Sequence, residues 1–169
     1  MDRRFFLKGC VSLAALAVFG RIAWAEDQPQ IGQPITGNKI EIEHTETEWK
    51  SLLTPEQYWV LRLRGTETPY SSPLEKEHRK GTFFCAGCNL PLFSSATKFD
   101  SGTGWPSFYA PLPDAVATMV DHELGFARTE VHCRRCGGHL GHVFDDGPQP
   151  TGLRYCMNGV AMKFQPDAS

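Results

Sequence analysis

Apolar positions fall into three successive patterns along the chain. Residues 9–20 form a charge-free run of twelve, shorter than the roughly 20 residues a hydrocarbon core requires. From Thr45 the spacing turns helical, with Trp49, Leu52 and Leu53 recurring on one face. Thr54-Pro55-Glu56-Gln57 predicts a second helix start: Thr54 caps, Pro55 suits the first turn, and Gln57 closes a capping box. Gly65 is expected to stop that helix. Beyond Gly81 the pattern shortens to β-type runs over 82–85, 115–121, 125–133, 153–156 and 160–164. Turn chemistry separates them at Asp100-Ser101-Gly102, Asp146-Gly147-Pro148 and Asn158-Gly159. Residues 66–80, broken by Pro69 and Pro73, read as loop, and residues 26–44 as a linker rich in Gln, Pro and Gly. No internal repeat stands out. The expectation is a mainly β, antiparallel domain over 45–169 behind short N-terminal helices.

Composition narrows the class. A chain of 169 residues, 41% hydrophobic and 21% charged, is ordinary for one globular domain and excludes wholesale disorder. A net charge of −2 offers no basic surplus, so no nucleic-acid partner is expected. The N-terminus reads as an address: Arg3-Arg4, then the apolar run, then Ala23-Trp24-Ala25 as a small-x-small cleavage site. It resembles a bacterial twin-arginine export signal, which implies a signal peptide over 1–25, cleavage near Ala25 and a periplasmic location. Cys10 stands at the start of the apolar run, two residues after Lys8, rather than beyond the run, the wrong order for a lipid anchor. The mature chain is then more acidic, has no membrane span, is expected to be a monomer, and keeps Cys85, Cys88, Cys133, Cys136 and Cys156.

Cys85-x-x-Cys88 and Cys133-x-x-Cys136 have the spacing of metal knuckles, since two intervening residues let one tight turn offer both sulfurs to one ion. Asn89 and Gly137 follow the pairs, and both tolerate a left-handed backbone. Four thiolates complete a closed tetrahedral shell, which points to one structural Zn2+ stapling distant hairpins. Iron could take the same ligands, and two disulfides or a redox-active pair are the other readings. Neither pair precedes the helical pattern that usually lowers a redox thiol pKa.

Cys156 is left over. It is either a buried inert thiol or a nucleophile. Arg154, two residues away on the same strand face, could stabilise its thiolate, and Asn158 could bind a polar ligand. His139 and His142 follow the second Cys pair and suit proton transfer, with Asp146 or Asp145 to orient an imidazole; a second metal site is the other reading. Trp105, presented between Gly104 and Pro106, is either a core residue or a wall for a small apolar group.

These stretches together resemble the B-type methionine sulfoxide reductases, which reduce the R epimer of methionine sulfoxide in proteins. The resemblance covers about residues 48–164. It includes Thr97-Lys98-Phe99-Asp100-Ser101-Gly102, Gly104-Trp105-Pro106-Ser107-Phe108, His139-Leu140-Gly141-His142-Val143-Phe144, Asp146-Gly147-Pro148 and Arg154-Tyr155-Cys156, besides both Cys pairs. It implies two antiparallel sheets leaning together like a tent. Cys156 falls on the nucleophile, His139 and His142 on the histidines, and Asp146 on the acid. Asn158 and Arg154 fall on the amide and the arginine, Trp105 on the methyl-binding wall, and Phe144 lies within the same motif. The implied chemistry is attack of a low-pKa Cys156 on the sulfoxide and a sulfenic acid product, in repair of oxidatively damaged proteins. Thr103 stands where many members carry a resolving Cys, and Gly159 replaces a frequent Ser. Recycling by a thioredoxin-like or other external thiol reductant is therefore expected. A non-enzymatic binding module and a thiol–disulfide oxidoreductase are the competing classes.

Overall fold

A computed structural model describes residues 40–168; the export signal expected over 1–25, with the linker up to residue 39, lies outside the described residues. Two short helices open the fold. Helix α1 (Glu46–Leu52) and helix α2 (Pro55–Leu63) each start with a reciprocal capping box, Thr45 with Glu48 and Thr54 with Gln57. Arg64 rather than Gly65 takes the left-handed position that ends α2 (φ 60°). Gly65 is needed for room instead: a Cβ there would fall 2.3 Å from the Trp59 ring. No helix among the described residues is long and apolar enough to cross a membrane.

Nine strands follow among the described residues, all paired antiparallel. Strands β1 (Gly81–Cys85), β2 (Pro91–Ser94) and β9 (Met162–Pro166) form a three-stranded sheet in the order β2-β1-β9. The larger sheet has the order β3-β4-β8-β7-β6-β5. Its strands are β3 (Lys98–Phe99), β4 (Ser107–Phe108), β5 (Val116–Asp121), β6 (Arg128–Cys133), β7 (His139–Phe144) and β8 (Arg154–Met157). The mainly β class, the two antiparallel sheets and the two short helices match the sequence expectation.

Aromatic side chains hold the sheets together. Phe93 of β2 stacks on Phe108 of β4 at 4.3 Å, and Phe83 of β1 meets the same ring edge-on at 4.9 Å. All three rings are fully buried, where such pairs add about 0.5–1.5 kcal/mol each beyond area burial. The run expected over 160–164 starts later than read, because Gly159–Ala161 winds into a 3-10 turn. The buried Glu67 carboxylate accepts the Gly159 and Val160 N–H groups (2.7 and 2.8 Å), a tertiary partner that local pattern cannot show.

Candidate active site and metal centre

The two Cys pairs converge. The Sγ atoms of Cys85, Cys88, Cys133 and Cys136 all lie within 4.8 Å of one another, with Cys85–Cys136 at 3.8 Å and Cys88–Cys133 at 3.4 Å. A disulfide would need about 2.05 Å. Tetrahedral zinc with Zn–S near 2.3 Å sets sulfurs about 3.8 Å apart, so the donor set fits one ion with no open position. Asn89 (φ 56°) and Gly137 (φ 67°) supply the left-handed turns of the two knuckles. Cys85 ends a strand of the small sheet and Cys133 ends one of the large sheet, so the four sulfurs join the two sheets. Arg135, between Cys133 and Cys136, accepts the Glu41 and Ile42 N–H groups on its carbonyl (2.9 and 3.1 Å), which lays residues 40–44 against the second knuckle.

Strand β7 carries both candidate histidines, and its register explains how. Glu130 pairs with His142 and Val131 with Gly141, but His132 pairs with His139, so Leu140 is an extra residue. In a regular strand residues three apart face opposite sides. One inserted residue restores a common face, and His139 and His142 meet edge-on with ring centroids 5.5 Å apart. The displaced Leu140 carbonyl accepts both the Asn158 N–H (2.8 Å) and the Asn158 side-chain amide (3.0 Å). The Asn158 Oδ1 accepts the Glu67 N–H at 2.8 Å. Asn158, expected to bind ligand, is buried and tied at both ends to backbone, and it also lines the cavity that contains Cys156.

His142 pairs across the sheet with Cys156, and Cys156 pairs on its other side with Ser107. Cys156, His142, Trp105 and Phe144 line one cavity of about 150 Å³, with Arg128 and Gly141 among its other walls. A Cβ on Gly141 would fall 2.1 Å from the Cys156 carbonyl oxygen, so only glycine lets these two strands close at the site. Trp105 is fixed by its indole N–H, donated to the Glu67 carbonyl at 3.1 Å. His139 is buried behind His142 and does not line the cavity.

The carboxylates that hold the imidazoles differ from those expected. His142 Nε2 donates to Asp121 of β5 at 2.8 Å, and His139 Nδ1 donates to Glu130 of β6 at 2.6 Å. Ionised carboxylates only accept, so these bonds place protons on those nitrogens, and in a neutral His142 ring Nδ1 is then the lone-pair atom. His139 Nε2 is buried with no partner among the described residues. Burial raises the Asp121 pKa, but the Glu123 N–H, His142 and Arg128 outweigh it and hold the group at about 2. Burial likewise pushes Glu130 up, and its contacts with His132 and His139 pull it well below the usual carboxylate range. Arg64 contacts both acids. Burial lowers the His142 pKa, opposed by its bond to Asp121.

Asp146, expected to orient an imidazole, instead forks onto Arg154, with both N–H···O bonds at 2.8 Å. Its side chain is 59% exposed while Asp121 is 1% exposed, and Asp145 is exposed as well. Arg154 also lies over the Phe144 ring at 4.5 Å, fixing one cavity wall. The expectation of a low-pKa Cys156 is reversed: burial pushes the thiol up, and Thr103 and Arg154 offset that only in part. With burial dominant, the thiol needs a base, and His142 stands opposite it.

Comparison with known proteins places this arrangement. Residues 53–166 match the SelR domain. The chain belongs to the SelR-domain family. A protein of Pseudomonas putida (strain GB-1) is 58% identical over 126 residues, 74% of this chain and 96% of that protein. One of Leptospira interrogans is 54% identical over 126 residues, with the same shares covered, and one of Methanosarcina mazei is 56% identical over 124 residues, 73% of this chain and 89% of that protein. All three are named peptide methionine sulfoxide reductase MsrB.

In this SelR domain Thr103 Oγ1 lies 3.9 Å from Cys156 Sγ, so the position where a resolving Cys was sought in the sequence does adjoin the nucleophile candidate. Asp121, Glu130 and Glu67 are the site residues that sequence reading missed. Asp121 and Glu130 sit within β-type runs and Glu67 in a loop, without a motif of their own. An acidic residue at a buried β position was the available signal, since unpaired burial of a carboxylate is costly.

Proposed function

We propose that this chain is an oxidoreductase of the peptide-methionine (R)-S-oxide reductase class, reducing methionine sulfoxide in peptides and proteins. The observation that carries the reading is Cys156 directly across the sheet from a carboxylate-held His142, in a cavity walled by Trp105. His142 Nδ1 takes the Cys156 proton, and the sulfur attacks the sulfoxide sulfur. The same proton then passes to the sulfoxide oxygen, and the hydroxyl moves to Cys156. Net, a thiol and a sulfoxide become a sulfenic acid and a thioether. The imidazolium formed in transit faces the Asp121 charge, which favours it. Trp105 and Phe144 hold the methyl and thioether carbons, a small asymmetric cavity of this kind discriminates between the two epimers, and R is the one the family resemblance implies.

Thr103 contributes no thiol, so two equivalents of an external thiol regenerate Cys156, releasing water and a disulfide. The four knuckle sulfurs hold one zinc ion, whose chemistry is structural: it joins the sheets and fixes the start of β7. The paired-arginine N-terminus supports export to the periplasm, where the substrates are oxidised proteins.

Turnover of separated R and S epimers of a blocked methionine sulfoxide, with dithiothreitol, tests the reading. Consumption of R alone, abolished in Cys156→Ser, is expected. Equal use of both epimers, or full activity in the variant, refutes it.

A further inference from the structure

We propose that Glu67 is a positioning residue for epimer choice: its buried carboxylate pins the segment that orients the Trp105 indole to the end of the strand that carries Cys156. The proposal rests on the reductase reading above. Three groups of Glu67 reach different partners. The carboxylate accepts the Gly159 and Val160 N–H groups at 2.7 and 2.8 Å. The backbone N–H donates to Asn158 Oδ1 at 2.8 Å, and the carbonyl accepts the Trp105 indole N–H at 3.1 Å. Glu67 thus joins the aromatic wall to the residues that directly follow β8. Tyr70 extends the link: its N–H donates to the Gly104 carbonyl and its hydroxyl to the Gly102 carbonyl, both at 2.7 Å.

Sheet pairing alone does not orient the indole. The Pro106 carbonyl accepts the Met157 N–H at 2.9 Å and Ser107 pairs with Cys156, which fixes the backbone just after Trp105. The ring extends from that backbone, and its single donor ends on Glu67. Glu67, Thr68, Gly159 and Val160 also line a separate hollow of about 570 Å³, whereas Thr66 and Asn158 line the cavity that contains Cys156. The two segments therefore border open space, where hydrogen bonds rather than dense packing hold them together. A buried charge gains little net stability even when it is satisfied. What a carboxylate between two backbone amides supplies is a set separation, here between the wall that holds the methyl group and the sulfur that attacks.

The test sets Glu67→Gln against Trp105→Phe, singly and combined, in the mature chain. Gln keeps the length but only one acceptor oxygen, and Phe keeps a ring without the N–H. KM and kcat are measured for each separated epimer of blocked methionine sulfoxide, with affinity for the R epimer in the Cys156→Ser background. Glu67→Gln should raise KM for R about tenfold, the range of one or two lost hydrogen bonds, and lower the R-over-S preference by a similar factor. Its kcat should stay within about threefold, since the β7–β8 ladder that sets His142 opposite Cys156 does not involve Glu67. Trp105→Phe should reproduce both changes, and adding Glu67→Gln to it should change neither further, because the carboxylate acts through the indole. The near-ultraviolet circular dichroism difference between parent and Glu67→Gln should vanish in the Trp105→Phe background. KM and epimer preference within twofold of the parent in either single variant overturn the positioning role alone. So do effects of the two substitutions that multiply, or a loss confined to kcat. A parent chain that turns over neither epimer overturns the reductase reading, and the positioning role falls with it.

Discussion

Asp121→Asn isolates the charge behind His142. Asparagine keeps the size and one acceptor oxygen but removes the negative charge from a group 1% exposed, bonded to His142 Nε2 at 2.8 Å and Arg128 at 2.5 Å. If the proton passes through His142, the transition state carries an imidazolium that the resting neutral ring does not. A charge-assisted hydrogen bond is worth about 1.5–3 kcal/mol net, below the bound of about 4 kcal/mol for unit charges 4 Å apart at an effective dielectric of 20. That loss falls on the barrier and converts to a drop of about tenfold to a hundredfold in kcat/KM. The pH profile carries a second signature. The reactive Cys156–His142 pair shares one proton, so activity falls below the His142 value, where both are protonated, and above the Cys156 value, where neither is. Burial already sets His142 below its ordinary value, against the upward pull of Asp121, and sets Cys156 above its own. Removing Asp121 removes the upward pull, so the acid limb moves to lower pH while the plateau drops. The assay is kcat/KM on blocked methionine-R-sulfoxide from about pH 5 to 10, with near-ultraviolet circular dichroism to verify packing. A folded variant with its plateau within twofold of the parent, or with the acid limb shifted upward, refutes the proton route.

Three other perturbations address different parts of the molecule. Gly141→Ala drives a Cβ against the Cys156 carbonyl oxygen and should lower stability by about 2–3 kcal/mol, seen as a melting point lower by roughly 5–10 °C. An unchanged melting point would contradict the close approach of β7 and β8. On the proposed zinc reading, Cys136→Ser, or strong chelation of the parent, should reduce zinc from one ion per chain and collapse the thermal transition, since the binding free energy of a structural ion adds to folding free energy. Stable, metal-free protein by elemental analysis and calorimetry would argue against a structural ion. Thr103→Cys places a second thiol beside Cys156, so one equivalent of sulfoxide should yield a 103–156 disulfide by peptide mapping, whereas the parent yields none. Failure to crosslink would contradict the proximity of the two positions.

Local chemistry made part of this molecule readable in advance. The Thr54–Gln57 capping box, the two knuckles with Asn89 and Gly137, and five β-type runs all rest on neighbours within a few residues, where pattern and propensity act. Strand β7 was not read as a strand, because two histidines and a glycine replace the apolar alternation and an extra residue breaks the period. Strands β3 and β4 are two residues each, too short to leave a pattern. The imidazole partners were missed for a different reason. Asp146 is four residues from His142, whereas Asp121 is 21 residues away in sequence and reaches the ring only through the order of strands in the sheet. The depressed Cys156 pKa also failed as an expectation, since sequence supplies the neighbouring arginine but not the burial that outweighs it.

The extra residue in β7 has a consequence for how this fold tolerates change. Leu140 contributes a buried apolar side chain, and many residues could fill that role. Its place in the numbering could not be given up. Deleting one position there would restore a regular ladder and turn one histidine to the far side of the sheet, with every other side chain still present. Length across this short stretch is therefore a heritable functional trait in its own right. Apolar substitutions of similar volume at 140 should leave the site in place, while single-residue insertions and deletions between Cys136 and His142 should cost activity even where folding reporters are unchanged.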